Sequence, residues 1–203
     1  PMPFEEAVSV IDESYGRSWK KVFASIEETP IGSASIAQVH RAVLKSGEEV
    51  VVKIQRKGIY EMMARDIEFI RKAIKLMPPI SLKGMADFDL VLDELWSVTR
   101  DEMNFLTEAS NIEEFARRNK DVNFVQTPVL YQQYTTVHVL VMEYIDGCGI
   151  DEKDKLLEEG YDLKEIGSKL VDNYIKQVMD DGFFHADPHS GNVKTVSYTH
   201  LRA

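Results

Sequence analysis

The feature that most constrains this chain is the segment from His185 to Asn192, which reads His-Ala-Asp-Pro-His-Ser-Gly-Asn. Pro188 lacks a backbone N–H, has a fixed φ and disfavours the helical region for Asp187, so the segment is predicted to be a loop. Four residues separate Asp187 from Asn192, the spacing with which phosphotransferases place a catalytic base and a magnesium ligand on one loop. A surface turn is the alternative, because Asp, Pro, Gly and Asn all favour turns.

A lysine inside an apolar strand is the second informative feature. Residues 49–55 read Glu-Val-Val-Val-Lys-Ile-Gln, and their β-branched content predicts a strand with Val51 and Lys53 on one face. An ammonium group on an inner face needs an anion, because burying an unpaired charge is costly, and nucleotide phosphates are one such anion. The alternative is an edge strand with Lys53 in water.

A run of small residues precedes this strand. Residues 30–40 read Pro-Ile-Gly-Ser-Ala-Ser-Ile-Ala-Gln-Val-His and predict a strand, a loop and a second strand. Backbone N–H groups of Ser33, Ala34 and Ser35 could approach phosphate oxygens, because small side chains leave room. The run has a single glycine, Gly32, and does not match Gly-x-Gly-x-x-Gly, so an ordinary hairpin loop is the alternative.

A carboxylate lies in the apolar stripe of a predicted helix. Apolar residues between Phe105 and Phe115 recur at spacings of three and four, and Glu108 falls in the same stripe. A carboxylate in that position requires a cation, and Lys53 is the candidate. The alternative is a glutamate at the edge of the stripe that reaches water, as most glutamates do.

Hydrophobic periodicity predicts the remaining elements. Helices are predicted over residues 4–15, 63–77, 88–119 and 162–181, and strands within residues 26–54, 129–134 and 137–145. The helix over residues 88–119 is predicted to be continuous and to carry both Glu102 and Glu108. Cys148, the single cysteine, is predicted to be a small filler, and it indicates a reducing compartment.

The order of these segments resembles the UbiB (AarF/ADCK) family of atypical protein-kinase-like proteins over residues 26–193. In that family an alanine-rich loop with Ser-Ile-x-Gln-Val-His replaces the glycine-rich loop, and residues 35–40 read Ser-Ile-Ala-Gln-Val-His. The family's acidic motif corresponds to Glu102-Met103-Asn104 followed by Glu-Ala-Ser-Asn at residues 108–111. The His-x-Asp-Pro-His-x-Gly-Asn loop is intact.

The resemblance implies an α+β, protein-kinase-like fold with two lobes. The small lobe would contain an antiparallel sheet and extra helices, and the helical large lobe would be incomplete. Residues 1–145 would form the N-terminal segment and the small lobe, and residues 146–193 the start of the large lobe with the catalytic loop. Residues 194–203 resemble nothing in the family and look like an appended, non-native tail.

The resemblance also implies roles for individual residues. Lys53 would contact nucleotide phosphates, Glu108 would pair with Lys53, Asp187 would be the catalytic aspartate, and Asn192 would bind magnesium. His185 would brace the catalytic loop. The expected cofactors are therefore ATP or ADP and Mg²⁺.

The resemblance also gives expected roles to five further positions. Backbone groups of Glu143 and Tyr144, at the end of the strand over residues 137–145, would bind an adenine edge at an interlobe hinge. Gln38 and Glu102 would belong to motifs specific to the family. His40 is expected to cap the turn of small residues.

Two substitutions and one missing motif depart from the family pattern. Asn104 replaces an aspartate and Gly32-Ser33 interrupts the alanine run, which leaves the nucleotide preference open. The family continues beyond the catalytic loop to an Asp-Phe-Gly type aspartate that these 203 residues do not contain. The chain on its own is therefore expected to have no appreciable activity.

Charge and composition exclude some partners. The net charge is −10, from 24 basic and 34 acidic residues, which disfavours nucleic acid; the doublet Arg117-Arg118 is interpreted as a solvated face. No run of 18 apolar residues is present, and a cytoplasmic location is expected. Relatives often carry C-terminal membrane-spanning helices, so a longer form could be peripheral to the inner membrane.

Three classes of function remain open from the sequence. The favoured one is a magnesium- and nucleotide-dependent kinase or ATPase of UbiB type, which the resemblance links to ubiquinone or other prenyl-lipid biosynthesis or homeostasis, with a prenyl lipid or a protein as substrate. The second is a small-molecule phosphotransferase of the aminoglycoside or choline kinase type, which shares only the catalytic loop. The third is a non-catalytic, nucleotide-gated binder of lipids or proteins.

Overall fold

The computed structural model of the chain describes residues 1–76, 88–188 and 190–196. The chain divides into two compact units. The first contains residues 1–111 and 129–143, and the second contains residues 112–128 and the chain from residue 144 onward. Both helices and antiparallel sheet are present, so the predicted α+β class is confirmed.

The first unit is built on one antiparallel sheet. Its strands are β1 (Phe23–Ile26), β2 (Gly32–Ser33), β3 (Ala37–Leu44), β4 (Glu49–Gln55) and β5 (Val139–Glu143), in the order β1-β3-β4-β5, with β2 paired to β3. Lys53 pairs with Val39 on one side and with Leu140 on the other. Because β4 is an interior strand, the alternative of an edge strand for Lys53 is excluded.

One face of this sheet forms the core with helix α1 (Phe4–Tyr15). The helix buries Ala7, Val10 and Ile11, whose spacing of three and four residues defines one face. Val50 and Val52 of β4 are fully buried in the same cluster, and each such side chain stabilises the fold by roughly 1.5–3 kcal/mol. The predicted helix over residues 4–15 is confirmed.

Among the described residues, three further α-helices lie between β4 and β5 in the chain: α2 (Ile59–Leu76), α3 (Phe88–Glu102) and α4 (Phe105–Asn119). Arg71 of α2 bonds Asp89 at 2.9 Å and Asp93 at 2.6 Å on α3. The predicted helix over residues 63–77 corresponds to α2, although residue 77 lies outside the described residues. Among the described helices, none has the length and apolar character needed to cross a bilayer.

The prediction of one continuous helix over residues 88–119 is wrong. The chain breaks between α3 and α4, where Asn104 accepts a hydrogen bond from the Leu106 N–H through Oδ1 at 3.1 Å. Asn104 is thus the N-cap of α4, since it satisfies an N–H that the first helical turn leaves without a partner. An aspartate at this position could cap the helix in the same way.

The predicted strand over residues 129–134 is also wrong in its second half. Leu130 forms an isolated bridge with Met142, and the Tyr131 N–H donates to the Val141 carbonyl at 2.9 Å. Residues Gln132–Tyr134 then form a 3-10 turn. Gln132 and Gln133 are exposed in this turn, whereas Tyr134 packs against the core of the first unit.

The second unit contains α5 (Lys153–Glu158), α6 (Leu163–Lys176) and a pair of short strands, β6 (Cys148–Gly149) and β7 (Lys194–Thr195). Asp162 caps α6 by accepting from the Lys164 N–H at 2.8 Å. A π-helical turn, Gln177–Asp181, extends α6 to Gly182, which has a φ of 61°. The predicted helix over residues 162–181 is confirmed, and Gly182 caps its C-terminal end.

Cys148 is buried in this unit, as expected of a small filler. Its Sγ lies 3.2 Å from Oε2 of Glu152. Desolvation and the bond to Glu152 raise the pKa of the Cys148 thiol. The sulfur is therefore held as a thiol, which is the less nucleophilic form.

Candidate functional site

The first unit brings Lys53 of β4 and Glu108 of α4 together. Lys53 Nζ lies 2.9 Å from Oε1 and 2.6 Å from Oε2 of Glu108. The two side chains are 24% and 34% exposed, so the pair is accessible to a ligand although it lies mostly within the protein. Nζ also lies 5.0 Å from the centroid of the Phe105 ring, a distance at which the ring face attracts a cation.

Gln55, two residues after Lys53, positions the start of α4 on the sheet. Its Nε2 donates to the Met103 carbonyl at 2.7 Å. Oε1 lies 2.6 Å from Nδ1 of His138, and it accepts from that nitrogen because the amide nitrogen is already donating. The Phe105 N–H donates to the Val137 carbonyl at 3.1 Å. These bonds fix the N-terminal turn of the helix that carries Glu108.

Replacement of Gln55 by methionine is expected to destabilise the first unit by about 1–3 kcal/mol, because the buried Met103 carbonyl and His138 would lose their partner. Urea unfolding followed by circular dichroism measures the change. Gln126→Met is the matched control, because Gln126 is exposed. Equal midpoints for the two variants would show that Gln55 does not anchor α4.

The run of small residues forms the tip of the β2–β3 hairpin. Ser33, Ala34 and Ser35 are exposed at this tip, where the predicted phosphate contacts would require them to be. The Ala34 N–H donates to the Ala37 carbonyl at 2.8 Å and closes the turn. The exposed backbone of the tip is compatible with the predicted role.

Gln38 and His40 point into the protein and not towards the hairpin tip. Gln38 accepts from the Met2 N–H at 2.9 Å and donates to the Met2 carbonyl at 3.2 Å. His40 bonds the Glu27 carbonyl through Nδ1 at 2.7 Å, and its Nε2 lies 2.8 Å from Nε2 of Gln38. The expectation that His40 caps the turn of small residues is therefore wrong, because its ring is buried on the N-terminal segment.

Glu102 and Glu143 have different surroundings. Glu102 is exposed at the end of α3. The Glu143 N–H donates to the Val129 carbonyl at 2.8 Å, and its Oε2 accepts from the Val129 N–H at 3.0 Å. Of the backbone groups predicted to bind adenine, the Glu143 N–H is thus already used within the first unit. Tyr144 belongs to the second unit, where Lys194 Nζ lies 5.6 Å from its ring centroid.

The second unit contains the Asp187 loop, and hydrogen bonds to its backbone hold it. The Asp187 N–H donates to Nδ1 of His185 at 3.1 Å, and Asn192 Nδ2 donates to the Asp187 carbonyl at 3.0 Å. The Tyr174 hydroxyl donates to the His185 carbonyl at 3.3 Å. His185 therefore contacts the backbone of the loop, as the bracing role requires. Residue 189 lies outside the described residues.

A chain of buried amides connects this loop to α4. The His185 N–H donates to Oε1 of Gln177 at 3.0 Å, and Gln177 Nε2 donates to Oδ1 of Asn173 at 2.6 Å. Asn173 Nδ2 then donates to Oδ1 of Asn119 at 2.7 Å, and Asn119 donates to the Phe115 carbonyl at 3.0 Å. In each of these bonds the donor belongs to the residue nearer the Asp187 loop. The side-chain amides of Gln177, Asn173 and Asn119 therefore each have a fixed orientation. These residues could not be identified from the sequence, because nothing local distinguishes them.

Replacement of Gln177 by methionine is expected to destabilise the second unit by about 1–3 kcal/mol, because the His185 N–H and Asn173 Oδ1 would be buried without partners. We also expect faster amide exchange at His185 and Asp187, measured by mass spectrometry. Gln126→Met is again the control, and it lies in the same unit. Unchanged exchange at the loop would contradict the bracing role of the amides.

Arg118 is not the solvated residue that the sequence suggested. Its Nη1 donates to the Asp181 carbonyl at 2.6 Å, and its guanidinium lies 5.4 Å from the Phe183 ring centroid. Lys176 donates to the Arg118 carbonyl at 3.1 Å and to Oδ2 of Asp181 at 2.6 Å. Arg118 and Lys176 together therefore hold Asp181, shortly before the Asp187 loop.

Comparison with known proteins identifies the family. A family model described as the ABC1 atypical kinase-like domain matches residues 1–201. The chain belongs to the ABC1 atypical kinase-like family. The resemblance to UbiB and AarF proteins, stated from the motifs, is thereby confirmed.

Curated relatives of this ABC1 chain come from bacteria, plants and animals. An uncharacterized protein in the hydrogenase 1 5' region of Clostridium pasteurianum is 47% identical over 190 residues, which cover 94% of this chain and 34% of that protein. Protein ACTIVITY OF BC1 COMPLEX KINASE 8, chloroplastic, of Arabidopsis thaliana is 39% identical over 95% of this chain and 26% of its own length. AarF domain-containing protein kinase 1 of Gallus gallus is 35% identical, with 93% and 36% covered. The chain thus spans about a third of these relatives.

A solved structure supports the kinase-like fold of this ABC1 domain. The complex of Rv3197 with erythromycin from Mycobacterium tuberculosis matches with a TM-score of 0.76 and 30% sequence identity. The match covers 95% of this chain and 48% of that chain. The predicted kinase-like fold with an antiparallel small-lobe sheet is confirmed.

Proposed function

We propose that the protein binds ATP or ADP with Mg²⁺ and transfers or hydrolyses the terminal phosphate. The observation that carries the proposal is the contact of both carboxylate oxygens of Glu108 with the ammonium of Lys53. A lysine held by a helix glutamate on an interior strand is the arrangement that kinases use for nucleotide phosphates. Membership of an atypical kinase-like family supports the same conclusion.

The proposed chemistry assigns one task to each group. Lys53 neutralises charge on the phosphates, and Glu108 holds the ammonium in position. Asp187 accepts the proton of the attacking hydroxyl or water while a new bond to the γ-phosphorus forms. The bond from that phosphorus to the bridging oxygen breaks, and ADP leaves.

Asn192 fits the proposed magnesium site by its ligand type. Magnesium prefers oxygen ligands, which the Asn192 side chain can supply through Oδ1. The hydrogen bond to the Asp187 carbonyl uses the amide nitrogen Nδ2. This bond orients the side chain without using the oxygen. When bound, the ion would neutralise charge that develops on the phosphates.

The prenyl-lipid role and the location are parts of the proposal that rest on the resemblance. We propose that the acceptor is a prenyl lipid or a protein in ubiquinone or related prenyl-lipid metabolism, and that the site of action is the cytoplasmic surface of a membrane. A small-molecule phosphotransferase of the aminoglycoside or choline kinase type has less support, because it shares the catalytic loop alone. A non-catalytic, nucleotide-gated binder would bind nucleotide without turnover.

Calorimetric titration of the complete gene product with ATP and ADP, with and without Mg²⁺, tests the proposal. We expect saturable binding that Mg²⁺ strengthens, and phosphate release or transfer that requires Mg²⁺. Binding without turnover would favour the nucleotide-gated binder. The absence of binding by calorimetry and by thermal shift would contradict the proposed function.

A further inference from the structure

We propose that Arg56 is a positioning residue for the nucleotide, and that it fixes the direction of the Ser35 N–H at the hairpin tip. This inference rests on the proposed function, because the tip can contact a phosphate only if the protein binds a nucleotide. Arg56 directly follows β4, the strand that carries Lys53. One short segment would therefore determine the positions of both the lysine and the loop.

Arg56 makes three hydrogen bonds to the tip. Its guanidinium donates through Nε to the Ala34 carbonyl at 2.9 Å and through Nη2 to the Ser33 hydroxyl at 2.8 Å. Its backbone N–H donates to the Ile36 carbonyl at 2.8 Å. The side chain thus holds two consecutive residues, and the backbone holds a third.

Because a peptide bond is planar, a contact that holds a carbonyl also fixes the direction of the following N–H group. In a trans peptide the carbonyl and the following N–H point in opposite directions, and the described residues contain no cis peptide bond. Because Arg56 holds the Ala34 carbonyl, the Ser35 N–H must point away from the guanidinium. Within the described ranges, no hydrogen bond involves the Ser35 or the Ile36 N–H. These donors are the ones that a phosphate could use.

The charge of Arg56 favours the same ligand. Among the described residues, no carboxylate lies within ion-pair distance of its guanidinium, and its contacts are to a carbonyl and a hydroxyl. Arg41, on the neighbouring strand, instead bonds Glu49 at 3.0 Å. Arg56 therefore adds an unneutralised positive charge beside a loop assigned to an anion.

Calorimetry on the complete gene product tests this role by measuring the affinity for ADP and for adenosine. We expect Arg56→Met to weaken ADP binding about tenfold to a hundredfold, because two charge-assisted hydrogen bonds are lost. Adenosine, which lacks phosphate, should bind within about twofold of the wild type, since the tip would contact phosphate alone. Arg56→Lys should recover only part of the loss, because an ammonium cannot reproduce the guanidinium fork. Arg41→Met removes the same charge from the same sheet and should bind ADP like the wild type.

Amide exchange without nucleotide tests the positioning separately. The Ala34 N–H, which is bonded to Ala37, should exchange on the order of tenfold faster in Arg56→Met than in Arg41→Met. Unchanged exchange, or ADP affinity that lysine restores completely, would overturn the inference. If the wild type bound no nucleotide, the proposed function itself would fail. Wild-type binding with an unaffected Arg56→Met variant would overturn only the role of Arg56.

Discussion

Replacement of Lys53 by methionine is expected to weaken binding of Mg-ATP and Mg-ADP by at least about thirtyfold. Truncating one partner of a charge contact that is largely removed from water typically costs 2–5 kcal/mol. Here the loss has two parts, because the phosphates lose a cation and Glu108, 2.6 Å from Nζ in the native protein, would be left as a like charge. Calorimetric titration of the complete gene product measures the effect.

The surface pair Lys57–Glu13 provides a matched control for this variant. Lys57 Nζ lies 2.6 Å from Oε1 of Glu13, but the two side chains are 51% and 61% exposed. Exposed pairs contribute about 0–1 kcal/mol, so Lys57→Met should bind nucleotide like the wild type. Lys53→Arg keeps the charge and tests whether a loss reflects charge or folding. Wild-type affinity in a folded Lys53→Met protein would remove Lys53 from the site.

Replacement of Asp187 by asparagine is expected to reduce kcat for phosphate transfer or hydrolysis at least about a hundredfold, because a positioned base contributes 10²–10⁴-fold. The dissociation constant for ADP should change little, because asparagine keeps the shape of the side chain and removes its basicity. Steady-state turnover and calorimetry on the complete gene product separate the two effects. Asp180→Asn is the control, because Asp180 lies nearby in the chain and is exposed.

Equal kcat values for Asp187→Asn and Asp180→Asn would show that Asp187 is not the catalytic aspartate. A parallel loss of ADP affinity would assign Asp187 to binding. The bonds from Asp187 to His185 and from Asn192 to Asp187 involve only the Asp187 backbone. The substitution leaves these two backbone bonds in place.

The bounds of a helix could be predicted from the sequence where the hydrophobic periodicity and the capping residue indicated the same end point. Helix α1 has the predicted bounds because its apolar residues have one spacing and Gly16, with a φ of 61°, ends it. Strand β4 was predicted from its β-branched residues, but its interior position, between β3 and β5, became clear only from the structure, because the sequence also allowed an edge strand. The break at Asn104 was missed, because hydrophobic periodicity continues across it and only the cap distinguishes two helices from one.

Long-range polar contacts could not be predicted from the sequence. Faces could be assigned to Lys53 and Glu108, but their separation depends on how α4 packs on the sheet. That packing relies on Gln55, whose partners Met103 and His138 are 48 and 83 residues away in the chain. Gln38 likewise bonds Met2, at a separation of 36 residues. In the sequence such polar residues look like surface residues, because their burial and their hydrogen-bond partners are determined only by the fold.

Chemical labelling tests most directly whether the Lys53 ammonium meets a nucleotide phosphate. An acyl-phosphate derivative of ATP transfers its acyl group to a lysine amine that lies beside the bound phosphates, and peptide mass spectrometry then identifies the lysine. We predict preferential acylation of Lys53, its suppression by excess Mg-ADP, and slow labelling of Lys57 that ADP does not change. Absence of acylation at Lys53, or acylation that excess Mg-ADP leaves unaffected, would contradict a contact between Lys53 and the nucleotide phosphates.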